Sequence, residues 1–270
     1  MNICFVGGGN MATALIGGLL QRGFAPAHIH VVEINADSCQ RLHNEYGVRA
    51  SDDLVGTIPH CDCLVLAVKP QQLDEVARQI APRLGSNHLV ISVAAGIRAH
   101  DLARWLDSRN IVRAMPNTPA LIRSGITGLY ALPEVSAAHR HEAQSIMTAV
   151  GSTLWMTEET MMDAVTAISG SGPAYVFYFI EAMQQAAREL GFNDTDARRL
   201  VLETFLGATR LAEDSKDDAA TLRARVTSKN GTTEKALLHM EANQVKQHII
   251  KAVHAAANRS REMGAELGDK

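Results

Sequence analysis

The chain has 270 residues, a formal net charge of −3 and a hydrophobic content of 46%. This length suffices for one large or two ordinary domains, and the near-neutral charge gives no basic surface for nucleic acid or for an anionic membrane. No apolar run approaches the roughly 20 residues of a membrane span, and no basic residue precedes Arg22 to begin a signal peptide. We therefore expect a cytoplasmic enzyme.

A glycine-rich turn near the start of the chain is typical of dinucleotide binding. An apolar strand over residues 2–6 stops at a glycine cluster, and the helical pattern that follows ends at Gly23. Gly7, Gly9 and Ala12 match G-x-G-x-x-A, in which the first glycine makes a tight turn and the second admits a pyrophosphate. The small third residue lets helix and strand pack closely. A plain structural turn is the alternative.

An acidic residue ends the second predicted strand. Glu33 follows the apolar run 29–32, roughly 20 residues past the glycines, where an acid hydrogen-bonds the ribose hydroxyls of the cofactor. This position favours NAD, because residues 34–36 supply no arginine for a 2′-phosphate. An exposed strand-end glutamate is the alternative.

Two further strands end in residues suited to a cofactor cleft. The apolar strand 63–68 ends in Lys69-Pro70, so we expect Ala67, Val68 and Lys69 at the carboxyl edge of the sheet, where open α/β sheets bind ligands. Lys69 either pairs with phosphate or is a solvated loop residue. The strand 89–94 ends at Ala95, whose small side chain leaves room for a ring.

A proline-rich loop follows the next predicted strand, 111–115. Two prolines within the segment 116–119 fix the loop in an extended turn, so the backbone holds Asn117 in place. Its side chain binds a ligand amide or caps its own turn.

The alternation of strands and helices continues to Met156 and then stops. Up to that point the pattern predicts a doubly wound parallel sheet with antiparallel edges. After Glu158 only long helical patterns follow. The predicted fold class is therefore α/β with a second, all-α domain, divided as residues 1–158 and 159–270.

A small-residue loop, 169–174, precedes the most apolar helix of the second domain. Close backbone packing and the lining of a nicotinamide pocket both explain the loop. The stretch 175–180 is apolar around its whole circumference, which favours burial in an interface between subunits.

A second loop, 227–234, opens a helix and resembles an anion nest. We expect the N–H groups of Gly231, Thr232 and Thr233 to point outward, supported by the hydroxyls of Ser228 and Thr233. Such a nest suits a substrate carboxylate. An ordinary capped helix is the alternative.

No metal site is predicted. The segment His60-Cys61-x-Cys63 has no second ligand pair at zinc spacing, and no Ser-His-Asp, Walker or H-E-x-x-H arrangement occurs.

Taken together, these motifs resemble the pyrroline-5-carboxylate reductase family over essentially the whole chain. The resemblance implies reduction of 1-pyrroline-5-carboxylate to L-proline by NADPH or NADH, the last step of proline biosynthesis. It also implies a Rossmann domain, a helical dimerisation domain and a homo-oligomer, at least a dimer and often a decamer. The segments that carry it are Gly7–Met11, Ala67–Pro70, Ser92–Gly96, Met115–Pro119, Ser169–Tyr175 and Gly231–Thr233.

The family's functional residues carry over to matching positions. The dinucleotide site maps to Gly7, Gly8, Gly9, Asn10 and Met11, to Ala67, Val68 and Lys69, and to Ala95, beside Glu33 and Asn117 from the argument above. The substrate carboxylate site maps to Ser228, Gly231, Thr232 and Thr233, with the Thr233 hydroxyl as the catalytic group at the ring nitrogen; Glu159 matches a further ligand-binding position.

Two departures from the family pattern matter. The usual Ser-Pro-Gly-Gly loop reads Ser228-Lys229-Asn230-Gly231 here, and asparagine tolerates a positive φ well enough to keep the turn. The segment after the second strand, Glu33-Ile34-Asn35, lacks the small hydroxyl residues or arginine of members that prefer NADPH.

Two other functions remain open at this point. A reductase of β-hydroxy acids with a similar build needs a lysine on the helix 175–190, which has none. A non-catalytic nucleotide sensor needs the first domain only, so the second-domain loop argues against it.

Overall fold

The computed structural model describes residues 1–268 and divides into two compact units. The first comprises residues 1–171 together with the C-terminal segment that begins at Ala255, and the second is Gly172–His254. No helix within the described residues has both the length and the apolar character needed to cross a membrane.

The first unit is built on an eight-stranded sheet of order β3-β2-β1-β4-β5-β6-β7-β8. All pairs from β3 to β6 are parallel, β7 runs antiparallel to β6, and β8 is parallel to β7. The strands are β1 Ile3–Val6, β2 Ile29–Val32, β3 Arg49–Ser51, β4 Cys63–Leu66, β5 Leu89–Ser92, β6 Ile111–Met115, β7 Gly125–Ala131 and β8 Gly151–Trp155.

Helices cover this sheet, so β1, β4 and β5 are buried at every residue, as expected for central parallel strands. The helices are α1 Asn10–Gln21, α2 Ala36–Tyr46, α3 Leu54–Thr57, α4 Leu73–Ile80, α5 Ala99–Leu106, α6 Ala137–Thr148 and α7 Met161–Val165, the last continued by a π-helical turn, Thr166–Gly170. The predicted doubly wound sheet is confirmed, and its order reverses between β1 and β4, where such sheets bind ligands.

The second unit is wholly helical, as predicted. It contains α8 Gly172–Glu189, α9 Asp194–Asp214, α10 Ala219–Arg225, α11 Thr232–Ala242 and the start of α12 Val245–Gly268. Helix α8 packs against α9, yet no residue of α8 is buried. Phe177 and Tyr178 are 64% and 72% exposed. The single chain thus leaves the apolar surface of α8 uncovered.

The compact units differ from the predicted division after residue 158 in two respects. The segment up to Ser171 stays with the sheet, because Met162 is fully buried and Glu159 pairs with Arg113 of β6. The end of α12 also returns to the first unit, where Ser260 donates a hydrogen bond to Asp163 of α7. Such long-range contacts are not visible in local periodicity.

Candidate active site

Gly7 is the point where three strand ends converge. Its φ of +100° suits glycine alone, and a Cβ there would lie 2.9 Å from the carbonyl oxygen of Ala67. Its N–H donates to the carbonyl of Val32 at 2.8 Å, and the N–H of Ala67 donates to that of Val6 at 2.8 Å. The turn therefore brings the ends of β1, β2 and β4 together.

Gly9 is the N-cap of α1 and leaves the start of that helix open. No side chain caps the helix, and no heavy atom lies within 4 Å of the position of a Cβ at Gly9. Among the described residues, the N–H groups of Asn10 and Met11 have no protein acceptor. Free N–H groups, open space and the positive end of the helix dipole fit the pyrophosphate of a dinucleotide.

The Glu33 carboxylate is held at the end of β2, beside the glycine turn. Its Oε2 accepts from the N–H of Gly8 at 2.9 Å, and its Oε1 accepts from the N–H of Asn35 at 2.9 Å. Fixed in this way, the carboxylate lies at the position that meets the ribose hydroxyls in this fold.

The cavity beside Glu33 has about 360 Å³ and is acidic. It is lined in part by Glu33, Cys39 and Asp52, and no arginine or lysine of the described chain lines it. Burial, and then the charges of Glu33 and Asp52, raise the pKa of the Cys39 thiol. This negative potential opposes a 2′-phosphate.

The ends of β4 and β5 supply the next part of the sheet edge. Ala67, Val68 and Ala95 are half-buried, whereas Lys69 is exposed. The N–H of Val93 donates to the carbonyl of Leu66 at 3.1 Å, so the segments that follow the two strands leave the sheet side by side. Their small side chains keep this edge accessible.

The side chain of Asn117 closes its own loop. Its Oδ1 accepts from the N–H of Ile126 at 3.0 Å, which is the self-capped turn that the sequence left as an alternative. Its amide nitrogen has no partner among the described residues and still allows a ligand contact.

Glu159 belongs to a partly buried ion-pair group in the first unit. Its Oε1 accepts from the N–H of Ala99 at 2.5 Å and lies 3.1 Å from Nη1 of Arg113. Within the described chain Oε2 has no partner, so one oxygen is committed to the fold and one is available.

The 228–233 loop has the expected turn but a different set of free N–H groups. Asn230 adopts a φ of +60° as predicted, and Glu234 accepts from its N–H at 2.7 Å. The N–H of Gly231 does not point outward, because it donates to the carbonyl of Ser228 at 3.0 Å and closes the turn.

The open donors of this loop lie at the first turn of α11. Gly231 is the N-cap and no side chain caps the helix. The N–H groups of Thr232 and Thr233 and the Thr233 hydroxyl have no acceptor within residues 1–268. Two N–H groups and a hydroxyl at a helix start fit a small carboxylate with a neighbouring polar atom.

Sequence reasoning missed three residues around Glu159. Arg113 is only 3% exposed, Asp163 lies near its guanidinium, and Ser260 donates to Asp163. The available signal was an arginine in the middle of the apolar strand 111–115, since a buried charge requires partners.

Comparisons with known proteins agree with this architecture. A family model described as pyrroline-5-carboxylate reductase dimerisation matches residues 159–263, and one described as NADP oxidoreductase, coenzyme F420-dependent, matches residues 2–96. The pyrroline-5-carboxylate reductase of Pseudomonas aeruginosa is 43% identical over 98% of this chain and 98% of its own length.

Two solved structures superpose on nearly the whole chain. The pyrroline-5-carboxylate reductase of Coxiella burnetii has a TM-score of 0.90 and 40% identity, covering 97% of this chain and 98% of its own. The pyrroline carboxylate reductase of Plasmodium falciparum, with NADP bound, has a TM-score of 0.89 and 29% identity, with 98% of each chain covered.

Proposed function

This chain belongs to the pyrroline-5-carboxylate reductase family and reduces 1-pyrroline-5-carboxylate to L-proline with NAD(P)H, the last step of proline biosynthesis, and we propose that the two open helix starts hold the reactants. The assignment of the 228–233 loop to the substrate rests on one observation, the uncapped start of α11. Its free donors suit a carboxylate, which is the charged group of this substrate.

The first unit holds the cofactor in this proposal. The open N–H groups of α1 bind the pyrophosphate, supported by the glycine turn, and Glu33 accepts from a ribose hydroxyl. The edge formed by the ends of β4, β5 and β6 faces the nicotinamide half. The cofactor residues are Gly7, Gly8, Gly9, Asn10, Met11, Glu33, Ala67, Val68, Lys69, Ala95 and Asn117.

The second unit orients the substrate. The N–H groups of Thr232 and Thr233 bind the carboxylate, Gly231 and Ser228 shape the turn that exposes them, and the Thr233 hydroxyl hydrogen-bonds the ring nitrogen. The free oxygen of Glu159 is a further candidate contact.

NAD(P)H supplies the hydride that C5 of the protonated ring receives. A protonated imine is already electrophilic, so the chain's own residues act by positioning rather than by strong acid or base catalysis. The Thr233 hydroxyl fixes the ring nitrogen, and with it the face of C5 that is presented to the nicotinamide.

We further propose that the chain works as a homo-oligomer in the cytoplasm. The exposed apolar surface of α8 and the match to a dimerisation model support at least a dimer. A decamer built from such dimers is the larger assembly we propose.

The test is the loss of reduced-nucleotide absorbance when pyrroline-5-carboxylate is added to the purified protein, measured separately with NADPH and NADH. Consumption of either supports the proposal. A folded protein that binds nucleotide and consumes neither would instead support a sensor.

A further inference from the structure

A charged cluster with a buried arginine at its centre lies behind the turn that follows β5. We call Arg113, Glu159, Asp163 and Ser260 the Arg113 cluster. The Arg113 guanidinium is 3.1 Å from Glu159 and 3.9 Å from Asp163, and the Ser260 hydroxyl donates to Asp163 at 2.7 Å. Its members come from β6, from the segment leading into α7, from α7 and from α12.

The cluster reaches the sheet edge through one backbone group. Glu159 accepts from the N–H of Ala99, the first residue of α5. Helix α5 has no side-chain cap of its own, so the glutamate supplies the missing acceptor. In β6, Arg113 also pairs with Ser92, the last residue of β5. The turn 93–98 is thus tied at both of its ends to elements of the cluster.

A second contact fixes the middle of the same turn. Gly96 has a φ of +76°, and a Cβ there would lie 3.1 Å from Cβ of Met263 on α12. A Cβ on Gly264 would likewise lie 3.1 Å from the carbonyl oxygen of Gly96. Ser260 is one helical turn before these residues, so its bond to Asp163 fixes the part of α12 that packs on the turn.

We propose that Arg113, Asp163 and Ser260 are positioning residues for the nicotinamide end of the cofactor. They hold the turn that carries Ala95 without touching either reactant. This inference rests on the proposed placement of the nicotinamide beside Ala95. A buried arginine needs its carboxylate partners, so we expect a change in the cluster to displace the turn.

The test compares two nucleotides that share an adenine half. NADH carries the nicotinamide, and ADP-ribose ends at the second ribose. In S260A, which removes the hydroxyl donor, we expect the Kd for NADH to rise about threefold to tenfold and the Kd for ADP-ribose to change less than about twofold. S260T restores the hydroxyl and should restore NADH binding. D163N, which keeps an oxygen acceptor and removes the charge, should act in the same direction.

The control is S145A, a matched change on the exposed face of α6, which should alter neither Kd. Equal weakening of NADH and ADP-ribose in S260A and D163N would indicate general destabilisation and overturn the inference, as would unchanged binding of both. A wild-type protein that binds NADH but does not reduce pyrroline-5-carboxylate would overturn the proposed function and leave the inference to be decided by the two Kd values.

Discussion

Two groups of helices in this protein begin in different ways. Helices α2, α6, α9 and α10 start at residues whose side chains accept from the helix itself: Asn35, Ser136, Asn193 and Asp218. Helices α1 and α11 start at Gly9 and Gly231, which have no side chain to offer. These two glycine starts are the ones that the proposed function assigns to anionic groups.

A glycine N-cap leaves the first N–H groups of its helix without a side-chain acceptor. A helix start attracts negative charge, as α10 shows: the N–H of Thr221 donates to Asp218 and lowers the pKa of that carboxyl group. Where the chain supplies no such acceptor, a ligand anion can take its place.

The largest effect is expected when α1 is given a side-chain cap. G9D places a carboxylate where the pyrophosphate belongs, so we expect nucleotide affinity to fall roughly 10³-fold, since two charge-assisted hydrogen bonds are lost. Titration of NADH fluorescence measures this loss, and the melting temperature should not fall. Retained affinity in a folded G9D protein would show that α1 does not bind phosphate.

At the start of α11, the change to test is removal of the Thr233 hydroxyl. T233A should lower kcat/KM for pyrroline-5-carboxylate about 10²-fold, because a hydrogen bond that orients the reacting ring is lost. T233S keeps the hydroxyl and serves as the control. Steady-state kinetics indistinguishable from wild type in T233A would remove this residue from the mechanism.

A smaller effect is expected at Glu33, which lies beside the glycine turn before α1 and is proposed to bind the ribose of the cofactor. E33S removes the charge next to the acidic cavity, so kcat/KM with NADPH should rise about tenfold relative to that with NADH. The ratio of the two values, measured in parallel, is the readout. An unchanged ratio would assign the cofactor preference to other residues.

The smallest effect comes from a helix that has its own cap. N193A removes the acceptor for the N–H of Asp196 at the start of α9, and should cost about 1 kcal/mol in the free energy of unfolding. Denaturant titration measures this change, while the Kd for NADH should stay constant. Weaker NADH binding in N193A would contradict the expectation that a side-chain cap contributes to stability and not to ligand binding.

The sequence predicted the parts of the site that depend on neighbouring residues. The glycine turn, Glu33 at the end of β2 and the positive φ of Asn230 follow from local patterns, because steric limits on φ act within a few residues. The apolar strands were likewise found, since burial on both faces leaves a continuous hydrophobic run.

One local detail was missed: the N–H of Gly231 turns inward because the turn closes on the carbonyl of Ser228, three residues earlier, and the residue types alone do not specify that turn geometry. Features that depend on distant partners could not be predicted from local patterns. Glu159 binds Arg113 across 46 residues and Ser260 binds Asp163 across 97. Such pairs leave no periodic signal, and only the unexplained charge of Arg113 within an apolar strand pointed toward them.

The return of α12 to the first unit has a consequence for the order of folding. The sheet is encoded before residue 171, but Met263, which packs on the turn after β5, and Ser260, which binds Asp163, are made only after the whole second unit. During synthesis the strands of the sheet are therefore made before these contacts from α12 can form. We expect the final consolidation of the sheet after translation has passed α12, as a late step with high contact order.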